Sequence, residues 1–311
     1  MNTSVKNNEL EFIRNTIARN NIDIEVNNIE KLGEGWMSRA YLINDEFVFR
    51  FPKEKQGGDD LEKEKVALPF LMKIITLSIP NFIYTGVQEN GLPFVGYRIL
   101  NGVPMKEETF EEIYEEITSD TKDRLVEQIG DFIDEISSVK YEKALELGIC
   151  ENDFYKDYSD TLEEIERKIF GIIDENIKKF IIEKFKWYLD DETNFKYTPK
   201  LLHADLSPNH FLYDNDKGEL TGIIDFGDMQ IGDPDYEYIY LLEDCGADFT
   251  RKVMEYRGEK EIEKKLIKVE FFLLVDNIRF VLEGLRINDD EMIRDGLASL
   301  GKKVLESQIS K

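Results

Sequence analysis

Histidine is nearly absent from this 311-residue chain: there are two, His203 and His210, and both fall in one stretch, Leu201-Leu-His-Ala-Asp-Leu-Ser-Pro-Asn-His-Phe-Leu-Tyr213. Cysteine is as scarce. Cys150 and Cys245 lie far apart, which argues against a disulfide framework and points to a reducing cytoplasm. No apolar run approaches the roughly 18 residues that a membrane-spanning helix needs. The opening residues Met1-Asn-Thr-Ser-Val-Lys-Asn-Asn hold no apolar signal-peptide core, so no membrane partner is expected. Positive charge is in deficit, with 40 Lys and Arg against 65 Asp and Glu and a formal charge of −25. Such a surface repels nucleic acid and attracts cations, so nucleic acid is not an expected partner either. No internal repeat or low-complexity segment is present, and the length suits one to two domains that bury a sizeable core without staples.

What is present concentrates near the histidines. Fifteen positions after His210 comes Asp225, in Thr221-Gly-Ile-Ile-Asp-Phe-Gly-Asp228. The apolar runs at residues 199–202, 211–213 and 220–224 read as short strands, which puts the polar residues at strand ends and in loops where Asp205, His210 and Asp225 can converge. That set suits phosphoryl transfer. One carboxylate orients an attacking hydroxyl, and metal-bound groups neutralise phosphate charge. Just downstream, between Gly218 and Thr250, stand nine acidic residues and no Lys or Arg. The run reads either as a solvated, solubilising face or as a site for a polycationic substrate.

Around this block the pattern divides. Residues 8–18 have helical spacing of Leu10, Ile13 and Ile17, and residues 59–75 form a second helix. Short apolar or alternating runs at 24–32, 38–43, 47–51, 82–87 and 93–100 read as strands, with turns at Asn44-Asp45 and Glu89-Asn-Gly91. After Asn101-Gly102 long helical segments follow, at about 110–139, 159–189 and 261–285. The expected fold is therefore α+β and bilobal, with a small antiparallel-sheet lobe over residues 1–101 that ends in a linker, and a larger, mostly helical lobe over residues 102–311. A nucleotide would lie in the cleft beneath the linker at residues 97–102.

The motif His203-Ala-Asp-Leu-Ser-Pro-Asn-His210 with Asp225, together with Val48-Phe-Arg-Phe-Pro-Lys53, Pro93-Phe-Val-Gly-Tyr97 and the run from Asp225 through Cys245, resembles the kinase-like aminoglycoside phosphotransferases, and among them the 2''-phosphotransferases. Matches run from about Lys31 to Glu259. The resemblance implies a protein-kinase-like fold and an antibiotic-resistance kinase that moves the γ-phosphoryl of GTP or ATP to an aminoglycoside hydroxyl, expected at 2'', with Mg2+ as cofactor and a monomeric chain. Asp205 would be the catalytic carboxylate and His203 a structural holder of its loop. His210 and Asp225 would hold the metal. His210 departs from the Asn of most kinases, and imidazole is an unusual ligand for a hard cation, so it ligates one ion directly or acts through water.

For the nucleotide, the resemblance points to Ser38 in the incomplete glycine loop Gly33-Glu-Gly-Trp-Met-Ser38, whose alternative is a plain hairpin with Trp36 capping the lobe. It also points to Arg50, standing where kinases place a phosphate-gripping Lys. Glu64 would pair with Arg50, and Glu62 competes for that role. Tyr97 would narrow the base pocket toward guanine, or serve only as a core tyrosine. Backbone groups of Arg98 and Leu100 would read the base edge. Asp228, Glu243 and Asp244 would accept substrate amines, with Glu237, Glu270 and Asp276 as further candidates. Ser207 would bond the sugar or cap the turn before Pro208. The competing readings are a related kinase for a macrolide, hygromycin or choline-like substrate, and a nucleotide-binding pseudokinase. A choline site would favour an aromatic cage, where this chain offers carboxylates.

Overall fold

A computed structural model describes residues 3–35 and 37–309, so Trp36 lies outside the described residues. The chain opens with α1 (Thr3–Arg19), followed by β1 (Ile29–Glu34), β2 (Ser38–Ile43), β3 (Phe47–Pro52), α2 (Lys55–Leu71), β4 (Tyr84–Val87), β5 (Pro93–Arg98) and the short β6 (Val103–Pro104). Helices α3 (Glu107–Glu116), α4 (Ser119–Ser137), α5 (Tyr141–Glu146), α6 (Phe154–Lys168) and α7 (Glu175–Leu189) come next. A block of short strands follows: β7 (Lys200–Leu202), β8 (Phe211–Asp214), β9 (Glu219–Ile223) and β10 (Gln230–Gly232). Then come α8 (Ile239–Tyr256), α9 (Ile262–Ile287) and α10 (Asp290–Ile309). Among the described residues no helix is long and apolar enough to cross a membrane.

Two compact units emerge, and neither is a single stretch of chain. The first gathers residues 1–106, 146–149 and 209–228; the second gathers 107–145, 150–208 and 229–311. In the first, five strands form an antiparallel sheet in the order β1-β2-β3-β5-β4. Its alternation is carried by β3. Phe47, Phe49 and Phe51 join Ile43, Phe94 and the Ile13 and Ile17 stripe of α1 in one core, whereas Val48 turns to the other face with Leu42 and Tyr97. The turn at Asn44-Asp45 forms as the sequence suggests, with both residues at positive φ (55° and 57°), the condition that lets a two-residue turn follow strand twist. A second, three-stranded sheet β6-β8-β9 belongs to this unit. Gly102, just before β6, sits at φ 96° where any Cβ would collide with the Thr221 hydroxyl, so only glycine fits.

The second unit is built on α9, whose apolar residues are buried among α6, α7, α8 and α10. Its aromatic core includes Tyr188 stacked on Phe271 with ring centroids 4.2 Å apart.

Several helix limits differ from the sequence reading. The expected helix at 110–139 is two, because the Thr118 hydroxyl accepts from the Thr121 N–H (3.3 Å) and starts α4 afresh. The one expected at 159–189 is also two, since the Asp174 carboxylate caps α7 through Asn176 and Ile177. The first strand begins at Ile29 rather than at 24, and α2 begins at Lys55 rather than at 59. Helices α8 and α10, which the sequence reading did not separate out, complete the second unit.

Candidate active site

In the first unit a charge cluster forms where β3, α2 and the segment after β9 meet. Arg50 follows Val48 by two residues and so projects from the face opposite the phenylalanines. On α2, Leu61, Glu64, Leu68 and Leu71 recur at three- and four-residue spacing and are all buried, which carries Glu64 inward. The Arg50 guanidinium donates twice to Glu64, at 2.7 and 3.0 Å, and once to Asp225 Oδ1 at 2.9 Å. Glu62, the competing partner, instead takes Lys65 on the exposed side of the helix. Burial pushes the Glu64 carboxyl up to about 7, against the lowering pull of Arg50. Burial also opposes the Arg50 charge, but Glu64 and Asp225 outweigh it, so the guanidinium stays protonated. The two short contacts are those of an ionised pair.

Asp225 lies at φ 63°, a left-handed conformation that Asp tolerates better than most side chains. The turn aims its carboxylate at two partners: Oδ1 accepts from Arg50, and Oδ2 stands 3.8 Å from His210 Nε2. His210 is anchored in turn, its carbonyl accepting from the Ile224 N–H at 3.1 Å. No group of three or more His, Cys, Asp or Glu arranged for a metal occurs among the described residues. A carboxylate and one neighbouring imidazole still fit Mg2+, which takes one or two protein ligands and completes its shell with water and phosphate oxygens.

Asp228, expected among the amine acceptors, falls in this cluster instead. It follows Asp225 by three residues, and burial, then Asp225 and Asp60, raise its carboxyl, while Lys63 and His210 pull the other way. Its surface is open, so solvent moderates those effects.

Tyr97 is buried on the face that carries Arg50, paired in register with Val48 and tilted against Phe82 at 5.8 Å. Burial pushes its hydroxyl up to about 12. The Arg98 side chain turns outward to Glu46 and over the Phe47 ring. Leu100 is half-buried just beyond β5, and Ser38 opens β2 with its carbonyl closing the hairpin to the Gly35 N–H at 3.0 Å. Gly33 is a strand residue paired with Ala40, and Glu34 pairs with Arg39, so the first glycine of the loop belongs to β1.

In the second unit the chain leaving β7 is held as a rigid arch. Ala204 adopts φ 67°, a left-handed backbone that costs an L-residue about 1–2 kcal/mol. Glu237 offsets this: its two carboxylate oxygens accept the His203 and Ala204 N–H groups at 3.2 and 3.3 Å. His203 is fully buried, and its Nδ1 accepts the Asp205 N–H at 3.3 Å, the structural part assigned to it from sequence. Asp205 follows, half-buried. Ser207 is buried with its N–H on the Asp205 carbonyl at 3.1 Å, an environment that favours the turn over a sugar contact.

Glu237 is thus corrected from a possible amine acceptor to a buried brace, with burial pushing its carboxyl up to about 8 against the lowering effect of the two N–H groups and Arg257. Beside it runs an ion network that sequence reasoning missed. Lys268 meets Asp233 and Asp235, and Lys265 meets Asp235 and Glu259. The only signal was Lys268 standing three residues before the apolar run at 271–275.

The acidic run places Glu243 and Asp244 in the first half of α8. Tyr240 on the same helix donates to Asp276 of α9 at 3.1 Å. Burial, then Asp244 and Asp276, push the Glu243 carboxyl up to about 7, though its exposure lets solvent screen part of this. Burial likewise raises Asp276, against Tyr240 and Arg279. Glu270 does not join them. Six residues before Asp276 it lies about 120° round α9, on an exposed face.

A model of the phosphotransferase enzyme family (APH) matches residues 28–262. The uncharacterized protein YcbJ of Bacillus subtilis (strain 168) is 22% identical over 217 residues, which span 68% of this chain and 67% of its own. The GDP complex of wild-type aminoglycoside 2'-phosphotransferase-IIIa is 39% identical, with a TM-score of 0.90 over 95% of this chain and 98% of that one. The GDP and kanamycin complex of APH(2'')-IIIa is also 39% identical, with a TM-score of 0.89 over 93% and 97%. The expected α+β, protein-kinase-like fold is borne out by these overlays. A family match across most of the chain, and near-complete structural likeness at this identity, lead to one conclusion: the chain belongs to the phosphotransferase enzyme family, alongside the aminoglycoside 2''-phosphotransferases.

Proposed function

We propose that this chain transfers the γ-phosphoryl group of a nucleoside triphosphate to a hydroxyl of an aminoglycoside, the 2''-hydroxyl in particular, and so confers antibiotic resistance. The observation that carries the reading is the 39% identity, over nearly the whole chain, to an enzyme bound to GDP and kanamycin. The charge cluster of Arg50, Glu64 and Asp225 supplies the chemistry. Arg50, fixed by Glu64, binds phosphate oxygens through its planar fork. Asp225 and His210 would hold Mg2+, which supplies charge neutralisation at the phosphates when bound. Asp228 adds negative potential beside them.

Asp205 accepts a hydrogen bond from the acceptor hydroxyl and aligns its oxygen with the γ-phosphorus. The new P–O bond forms as the bond to the β–γ bridging oxygen breaks, and the hydroxyl proton passes late to Asp205. A nucleoside diphosphate leaves. Glu243, Asp244 and Asp276 accept hydrogen bonds from protonated amines of the antibiotic. The intact Asp205 and Asp225 argue against a pseudokinase, and the carboxylates argue against a choline-like substrate.

Tyr97 shares a sheet face with Arg50, which supports the reading that its bulk lines the nucleotide side. Tyr97→Ala should therefore raise kcat/KM for ATP relative to GTP. Both nucleotides assayed on both proteins decide this, and an unchanged ratio returns Tyr97 to core packing alone.

For the antibiotic, Glu243→Gln and Asp244→Asn should each raise aminoglycoside KM roughly tenfold or more and leave nucleotide KM unchanged, since a charge-assisted hydrogen bond contributes about 1.5–3 kcal/mol. Raising ionic strength should weaken aminoglycoside binding in the same direction. Aminoglycoside KM values indifferent to both substitutions and to salt point to another substrate class.

A further inference from the structure

Helix α8 is not one helix in its geometry. Gly246 interrupts it at φ 81° and ψ 165°, a conformation essentially closed to residues with a Cβ. The second half is fastened down: Phe249 packs edge-on against Phe110 and Tyr114 of α3, at 5.3 Å from each, and Thr250 and Met254 are fully buried. The Thr250 hydroxyl donates back to the Gly246 carbonyl at 2.9 Å and so holds the break itself. Glu243 precedes Thr250 by seven residues and Met254 by eleven. In an unbroken helix those spacings share one face, so Glu243 would be carried onto the buried side. It is exposed instead, near Asp244 and Asp276.

We propose that Gly246 is a positioning residue for acceptor recognition: its break in α8 turns the Glu243-Asp244 turn away from the buried face of the helix and presents Glu243 to a cationic substrate. The inference rests on the reading of Glu243 as an amine acceptor. The break also interrupts the i to i+4 ladder beside the two carboxylates, and carbonyls at such an end favour a cation further. A Cβ at 246 would meet no atom within 4 Å, so alanine there changes backbone preference and nothing else.

Steady-state kinetics of Gly246→Ala, Glu243→Gln and the double variant, with kanamycin and GTP, test this. Gly246→Ala should raise kanamycin KM about tenfold with nucleotide KM unchanged, and should add less than about twofold in the Glu243→Gln background. Full additivity, or a matching rise in nucleotide KM, shows a merely structural role and overturns the proposal. An effect of Glu243→Gln without one of Gly246→Ala overturns it while leaving Glu243 as amine acceptor. An indifferent Glu243→Gln removes the amine-acceptor reading, and this inference with it. Should Gly246→Ala not fold, amide hydrogen exchange on the wild-type enzyme decides. The amides of residues 246–248 should exchange fast between protected turns and slow on kanamycin binding, whereas protection equal to their neighbours in the free enzyme contradicts the break.

Discussion

Replacing Asp205 with asparagine should lower kcat by roughly 10²-fold or more while the fold and nucleotide binding persist. The substitution is nearly isosteric and removes the charge to which the proposed mechanism gives the orienting of the acceptor hydroxyl and the receipt of its proton. The arch that carries Asp205 is held through backbone N–H groups. Glu237 holds the His203 and Ala204 N–H groups, and His203 Nδ1 takes the Asp205 backbone N–H, which asparagine keeps. Thermal melting should therefore stay close to wild type, and GDP titration should give an unchanged Kd. The kcat loss should appear for every aminoglycoside, since it belongs to the transfer step and not to recognition. Wild-type turnover in this variant removes Asp205 from the chemistry.

Asp225→Asn should act on the donor side, strongly weakening metal-dependent triphosphate binding. Asp225 faces Arg50 and His210 at once, and asparagine halves its capacity to accept while placing an amide beside a guanidinium. Arg50 keeps its two bonds to Glu64, so the sheet and α2 should hold together. The expected signature is a kcat/KM for nucleotide lowered by about 10²-fold or more, with a shallower dependence on Mg2+ concentration. Unchanged Mg2+ dependence moves the metal away from Asp225.

The candidate site was legible where its polar residues are local in the chain. Two histidines confined to one motif, and carboxylates at fixed offsets from them, mark the loop before any fold is known. The choice of Glu64 over Glu62 was also present in the sequence, in the Leu61-Glu64-Leu68-Leu71 spacing that puts Glu64 on the buried face of α2. Helix α8 was hidden for a physical reason: Gly246 breaks its apolar stripe into two faces, so no single period runs through residues 239–256. Its acidic residues then read as a run without a helix. The Lys268 network was hidden by distance, since Asp233 and Asp235 lie more than thirty positions from the lysine that neutralises them. Asp228 was grouped by charge with the acidic run, whereas the tight turn through Phe226-Gly227 binds it to Asp225.

Phosphoryl transfer to an aminoglycoside is tested most directly by the product of one reaction. Purified enzyme incubated with kanamycin, Mg2+ and GTP, and separately with ATP, should yield antibiotic heavier by one phosphoryl group, with phosphorus–proton coupling in the NMR spectrum assigning it to the 2''-hydroxyl. Nucleoside triphosphate that binds but leaves kanamycin and other aminoglycosides unmodified with either donor would contradict it.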